Sequence, residues 1–143
     1  MQVFIVGSPL ETAKVLDRSR LNKQIVECMQ ILDALNGAKA WSNHPCVLQY
    51  RDHYKWLELY MCILTAYRNG EGDALSFEAQ IKRLPQPPFH TQEYFNQMKR
   101  RLYTKDNNHY AQWAYLGTSE CNWYYVDGEW RYYKNGKRVK ESI

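Results

Sequence analysis

The sequence lacks the motifs by which many cofactor and metal enzymes are recognised. Its 143 residues contain no Walker loop, no G-x-G-x-x-G, no H-E-x-x-H and no G-x-S-x-G. It also lacks any apolar run that approaches the roughly 18 residues of a membrane span. We therefore expect no metal ion, no cofactor and no membrane partner.

Cysteine is present, but never in the C-x-x-C spacing of a metal or redox site. Three of the four cysteines lie inside apolar helical patterns, where a small buried hydrophobic side chain is the expected role. Free cysteines are typical of a reducing compartment, and the N-terminal MQVFIVG carries no basic leader. These features predict a soluble cytoplasmic protein. The four cysteines are Cys28, Cys46, Cys62 and Cys121.

Aromatic residues and positive charge are both in moderate excess. Aromatic side chains make up 15% of the sequence, with twelve tyrosines and five tryptophans, and the formal net charge is +4. A small core needs fewer rings, so some should lie at a functional surface, where stacking on a base or sugar is one use. The charge is compatible with a nucleic-acid partner, although many enzymes with neutral substrates share it.

Apolar periodicity predicts a mainly α fold with a β-element at each end. Residues 2–6 are rich in β-branched and aromatic side chains and are predicted to form a short N-terminal strand. Ser8, Pro9 and Glu11 then have the pattern of a helix N-terminus. The predicted helices cover residues 8–16, 19–35, 44–70, 74–84, 91–103 and 107–115.

The last part of the chain changes character at Cys121. The turn signals Asp127-Gly128 and Asn135-Gly136 separate β-rich runs and predict a C-terminal β-meander. We expect one compact domain that consists of a helical part, residues 1–118, and a β-hairpin extension, residues 119–143.

A line of polar residues on the second predicted helix is the first candidate site. At about 100° per residue, Arg20, Lys23, Glu27 and Gln30 fall within a sector of about 80°. One interpretation is a solvated salt bridge, worth about 0.3 to 0.5 kcal/mol. The other is a carboxylate among cations in a cleft, where it stabilises a cation or acts as a base. A separate stripe forms the predicted core face: Leu21, Ile25, Cys28, Leu32 and Leu35.

Further candidates lie downstream. His44 stands at a predicted helix start, as an acid, base or phosphate contact or simply as a capping residue. Arg51 follows about two turns later on the same predicted helix, where it could point into the same cleft or into solvent. Lys99 and Lys105 belong to a basic run with interleaved aromatic residues such as Tyr110, which suits phosphate contact or a plain solvated face.

Four motifs occur in an order that resembles a family of small bacterial and phage proteins, grouped with the phage pyrimidine-dimer DNA glycosylase (endonuclease V). They are an initial M-x-x-F, then L-D-x-x-R-L-x-K-Q-x-V-E-x-x-Q-I-L over residues 16–32, N-H-P-x-V over residues 43–47 and K-D-x-x-H-Y over residues 105–110. The resemblance spans about the first 110 residues and does not include the C-terminal hairpins.

The resemblance implies a mechanism in which the chain's α-amine attacks C1′ of the damaged nucleotide, the base leaves, and β-elimination cuts the strand. Glu27 would support the sugar cation and the proton transfers. Gln2 is large and should hinder removal of the initiator, so the nucleophile would be the amine of Met1. His44 and Asn43, from the shared N-H-P motif, would lie in the substrate cleft. The remaining candidates for substrate binding are Arg20, Lys23, Gln30, Arg51, Lys99, Lys105 and Tyr110.

The leading hypothesis is therefore a DNA N-glycosylase with AP-lyase activity on damaged or modified pyrimidines. DNA is its expected partner. Two alternatives stay open: a non-catalytic module that binds nucleic acid or a nucleotide, and an enzyme that acts on free nucleotides with the same Glu27 and His44 cleft.

Overall fold

The computed structural model describes residues 1–141. Its contacts divide the chain into two compact units, Met1–Pro88 and Phe89–Ile143. The predicted division into residues 1–118 and 119–143 stays a prediction about domain organisation. Within residues 1–141, no helix has the length and apolarity that crossing a bilayer requires.

The mainly α class with a C-terminal β-meander is confirmed. The first unit is helical, and its first helix begins as predicted: Pro9 occupies the first turn, and the Ser8 hydroxyl accepts a hydrogen bond from the Glu11 amide. The helices of this unit are α1 (Pro9–Val15), α2 (Arg18–Leu35), α3 (Pro45–Gln49), α4 (Tyr54–Arg68) and α5 (Asp73–Ile81).

Helix α2 packs against both α3 and α4. The predicted core stripe is buried at Leu21, Ile25, Cys28 and Leu32, while Leu35 at the end of the helix is half-buried. Burial of such side chains, at about 25 cal/mol per Å² of apolar surface, holds α2 in place.

The predicted N-terminal strand is wrong, because residues 1–5 form no β-ladder. The segment is extended, and Val3 and Ile5 are fully buried, as their β-branched side chains suggested. A strand needs a neighbouring strand for its backbone groups, and none lies beside it among the described residues. Instead, helix side chains supply the partners: the Phe4 amide donates to Gln24 Oε1, and the Tyr60 hydroxyl donates to the Phe4 carbonyl.

The single helix predicted over residues 44–70 is also wrong. It is two helices, α3 and α4, separated by a turn in which the backbone leaves helical geometry at Tyr50 (φ −100°, ψ 7°) and His53 (φ −130°, ψ 33°). The apolar spacing continues across the break because Tyr50 and Leu57 are both buried. Periodicity records which side chains enter the core, and a turn can preserve that pattern while it ends a helix.

The second unit combines helix α6 (Gln92–Lys105), a 3₁₀ helix (Ala111–Leu116) and a three-stranded antiparallel sheet in the order β1-β2-β3. Thr91 caps α6 by accepting from the Tyr94 amide. Both predicted hairpin turns are present, and Asp127 and Asn135 adopt the positive φ that such turns require. The strands are β1 (Cys121–Val126), β2 (Glu129–Lys134) and β3 (Lys137–Val139).

Candidate active site

The start of the chain lies beside Glu27 in the first unit. The Gln2 amide donates a hydrogen bond to Glu27 Oε2 at 3.0 Å, and the Glu27 side chain is only 12% exposed. Lys23 Nζ lies 3.9 Å from Glu27 Oε1, but the Lys23 side chain is 73% exposed. The predicted salt bridge therefore exists in a long, solvated form, while the carboxylate itself faces the start of the chain.

Gln24 fixes this arrangement from the buried side of α2. Its amide oxygen accepts from the Phe4 amide, and its Nε2 donates to the Gln2 carbonyl at 3.2 Å. The side chain thereby pairs with alternate backbone groups of the N-terminal segment, as a neighbouring strand would. Gln24 is 2% exposed, so these hydrogen bonds are protected from water. The position of Met1 and Gln2 against Glu27 depends on this contact.

His44 lies within electrostatic range of the α-amine of Met1. Partial burial of the imidazole lowers the pKa of His44 from its ordinary value, and the positive charge of that amine lowers the pKa further. His44 Nδ1 accepts a hydrogen bond from the Cys46 amide at 3.0 Å, which caps α3. Because Nδ1 is an acceptor, the proton of the neutral ring is on Nε2. Capping and a place in the site are therefore compatible roles for His44.

Two buried thiols lie beneath the same region. Burial raises the pKa of Cys46 to about 12, although the Met1 amine and a hydrogen bond with the Val3 backbone oppose the shift. Burial raises the pKa of Cys28 well above its usual range as well, with smaller contributions from Cys46 and Glu27. Both side chains are fully buried, so they remain neutral thiols and act as small apolar groups.

The other residues of the predicted polar line differ in their partners and in their exposure to solvent. Arg20 Nη1 lies 3.1 Å from both carboxylate oxygens of Asp17, at the N-terminal end of α2. Gln30 is half-buried, whereas Val26, between Lys23 and Gln30, is 48% exposed. An exposed apolar side chain therefore flanks the polar line of α2.

Two further predicted residues of this unit are exposed. Asn43 precedes His44 directly, so its backbone is joined to the site. Arg51 lies in the turn between α3 and α4, and its predicted alignment with His44 assumed one continuous helix. The break at Tyr50 removes that argument, and with it the helical spacing that would bring the guanidinium to the site.

The predicted candidates of the second unit fall in different environments. Lys99 Nζ lies 5.8 Å from the centroid of the Trp113 ring, in a cation–π contact. Lys105 is exposed and lines a groove of about 350 Å³ together with Arg101 and Asn122. Tyr110 is fully buried and its ring stacks on Trp113. Tyr110 therefore packs the core of this unit, and its prediction as a direct substrate contact is corrected.

A basic groove of the first unit was not predicted from the sequence. It has a volume of about 370 Å³, and no acidic side chain lines it. Its cations are exposed, so it offers a surface for a phosphate backbone. The lining residues are Lys14, Leu16, Arg18, Leu21, Tyr67 and Arg68.

No group of three or more His, Cys, Asp or Glu side chains within residues 1–141 has the arrangement of a metal site. The chemical groups that the structure does bring together are an α-amine, the carboxylate of Glu27 and the neutral imidazole of His44. An amine can act as a nucleophile, a carboxylate can accept a proton and a neutral imidazole can donate a hydrogen bond, and these are properties that covalent catalysis uses.

Comparison with known families concerns the N-terminal part of the chain. Residues 1–66 match the family of pyrimidine dimer DNA glycosylases. The matched part includes the N-terminal segment, α1, α2, α3 and most of α4. The match confirms the family resemblance over these residues, and the K-D-x-x-H-Y motif lies outside it. No curated protein and no solved structure matches the chain.

Sequence reasoning missed Gln24, although a signal was present. At about 100° per residue, Gln24 lies at the edge of the core stripe, about 20° from Leu35 and about 60° from Glu27 on the polar line. A polar side chain on a core face needs a hydrogen-bond partner, and in this protein the partner is the N-terminal backbone.

Proposed function

We propose that this protein is a DNA N-glycosylase with AP-lyase activity on damaged or modified pyrimidines. The observation that carries the proposal is the hydrogen bond from the Gln2 amide to Glu27, at 3.0 Å. It holds the first residues of the chain against a largely buried carboxylate, with His44 close enough to respond to the charge of the Met1 amine. The family match over residues 1–66 supports the same activity.

The reaction begins with the unprotonated α-amine of Met1. Its lone pair attacks C1′ of the nucleotide, the N-glycosidic bond breaks, and the base leaves with the bonding electrons and takes up a proton. Loss of the amine proton and opening of the sugar give an imine. Abstraction of a proton from C2′ then expels the 3′ phosphate by β-elimination.

Glu27 supplies the negative charge in this sequence of steps. A carboxylate beside C1′ stabilises the positive charge that develops on the sugar as the base departs. The same group accepts the proton that the amine loses after attack. Its 12% exposure limits competition from water, which strengthens both effects.

His44 supplies a hydrogen-bond donor. Its lowered pKa favours the neutral ring, and Nδ1 accepts from the Cys46 amide, so the proton that His44 can donate is on Nε2. Donation from Nε2 to the sugar ring oxygen or the leaving base assists departure of the base. A neutral ring also avoids adding a second cation next to the amine, which must lose its own proton.

DNA contacts are proposed for the cations of the first unit. Lys23 is exposed beside Glu27, and the groove that contains Lys14, Arg18 and Arg68 has no acidic lining. Phosphate neutralisation by such residues makes the affinity for DNA fall steeply with salt, whereas an enzyme of free nucleotides should show little salt dependence.

Glu27→Gln is the variant that tests the proposal. The Gln side chain keeps the size of Glu27 and can still accept from the Gln2 amide through its oxygen, but it has no negative charge. We expect removal of this charge to lower the rate of strand nicking on abasic or dimer-containing DNA by about 100-fold or more. DNA affinity should persist or rise, because the repulsion between Glu27 and phosphate is lost.

Lys23→Gln is the matched control, since it removes the exposed partner of the same ion pair. It should leave nicking within about threefold of the wild type at saturating DNA, because exposed ion pairs contribute little. Equal nicking by the Glu27→Gln variant and the wild type would exclude the catalytic role of Glu27. A wild-type protein that binds DNA with no turnover would favour the non-catalytic module.

A further inference from the structure

Trp41 is an exposed tryptophan in the loop between α2 and α3. Its side chain is 51% exposed, and residues 37–43 around it are exposed throughout. A single exposed aromatic residue is common on protein surfaces and needs no explanation by itself. Two further features set Trp41 apart: its backbone conformation and its neighbour.

The backbone of Trp41 is in the left-handed region, with a φ of 65°. The Ser42 amide donates to the Lys39 carbonyl at 3.3 Å, so Trp41 is the third residue of a turn. A positive φ at that place is the pattern of a type II turn, in which glycine is preferred. A bulky side chain there is strained, and strain of this kind is concentrated at functional sites.

The neighbour of Trp41 is His44. The two ring centroids are 5.9 Å apart at an interplanar angle of 72°, so the rings meet edge to face. The His44 amide also donates to the Trp41 carbonyl at 2.9 Å, which fixes the loop backbone to the start of α3. The indole is therefore held at the edge of the site that contains His44 and the Met1 amine, with half of its surface open to solvent.

We propose that the indole of Trp41 is the stacking surface for the nucleobase attached to the sugar in the site. The inference rests on the proposed function, because it takes DNA as the ligand. A base inside a duplex cannot bring its C1′ to an amine unless it leaves the stack, and an exposed ring then replaces the stacking that is lost. The strained turn holds the ring at the surface, where a base can reach it, whereas a ring buried in the core could not stack on a base.

The test compares two single-stranded oligonucleotides with the same phosphates, one of thymidines and one of stable abasic analogues. Wild-type protein should bind the thymidine strand more tightly by about 5-fold to 150-fold, the contribution of one base–aromatic stack. The Trp41→Gly variant should bind both strands equally, with the affinity that the wild type has for the abasic strand. The Trp41→Phe variant should retain most of the preference.

Thermal melting separates stacking from packing. Because glycine relieves the strain at a φ of 65°, Trp41→Gly should melt at an equal or higher temperature than the wild type. A markedly lower melting temperature would identify Trp41 as a packing residue and overturn the inference. Tyr115→Ala, at an aromatic residue 77% exposed in the second unit, is the matched control and should keep the full preference for bases.

Different measurements would contradict the role of Trp41 and the proposed function. An equal preference for bases in the wild type and Trp41→Gly, or no preference in the wild type, would overturn the role of Trp41. Borohydride trapping of the wild type on abasic DNA tests the proposed lyase on the same preparations. A base preference that depends on Trp41, without trapping, would support the stacking site and contradict the lyase.

Discussion

Replacement of Gln24 by methionine should loosen the N-terminal segment while the core remains filled. Methionine has nearly the same length as glutamine, so the substitution removes two hydrogen bonds without leaving a large cavity. The Phe4 amide and the Gln2 carbonyl would both lose a buried partner. An unsatisfied buried group costs about 1 to 3 kcal/mol, so the two together predict a loss of about 2 to 6 kcal/mol.

Urea unfolding, followed by far-UV circular dichroism, measures this loss. Gln30→Ala is the control, because Gln30 lies on the same helix and is only half-buried; its substitution should change the free energy of unfolding by about 0.5 kcal/mol or less. The Gln24→Met variant should also nick DNA more slowly at temperatures where it is folded, since Gln2 is no longer held against Glu27. A Gln24→Met protein as stable as the Gln30→Ala control would refute the proposed anchoring of the N-terminal segment.

Two further substitutions test the electrostatics of the site. The folded-state pKa of His44 is lowered, so its contribution to stability is complete above the unfolded pKa of about 6.5 and is lost as the pH falls through the folded pKa. The His44→Asn variant keeps an acceptor for the capping hydrogen bond but has no titrating ring. Its free energy of unfolding should therefore fall less than that of the wild type between about pH 7 and pH 5. Parallel pH profiles of the two proteins would contradict the assigned shift in the pKa of His44. Lys23→Ala should change the free energy of unfolding by about 0.5 kcal/mol or less, since Lys23 is 73% exposed; a loss several times larger would mean that the pair is buried in solution.

The helices and the meander were predictable because their signals are local. Ser8 and Thr91 cap helices at the positions that the sequence predicts. In each case the side-chain hydroxyl oxygen accepts a hydrogen bond from the amide three residues later. Asp127 and Asn135 precede glycine, and both adopt the positive φ of a two-residue hairpin turn. Such patterns involve neighbours in the chain and do not depend on the rest of the fold.

The error at the N-terminus concerns contacts between distant residues. The N-terminal segment has the composition of a strand, but its backbone partners are Gln24 and Tyr60, which lie 20 and 56 residues away from Phe4. No local pattern distinguishes an extended segment held by helix side chains from one held by a strand. The burial of Tyr110 was missed for another reason: the sequence does not show which ring of an aromatic run enters the core, and in the structure Tyr110 is fully buried and stacks on Trp113.

The candidate site was predictable in part. Glu27 and His44 were selected from the sequence, and the structure brings both close to the start of the chain. The spacing of Glu27 on α2 could not show that its carboxylate faces Gln2 rather than Lys23. That distinction depends on the path of residues 1–6, which is fixed by tertiary hydrogen bonds.

Borohydride reduction in the presence of abasic DNA, followed by mass spectrometry of the trapped peptide, tests the central claim most directly. Intact mass of the free protein first establishes that Met1 is retained. We expect a covalent adduct on the peptide that begins with Met1, at its α-amine, and a much lower yield from Glu27→Gln. A folded wild-type protein that gives no adduct, or an adduct on a lysine side chain only, would contradict the assignment of the Met1 amine as the nucleophile.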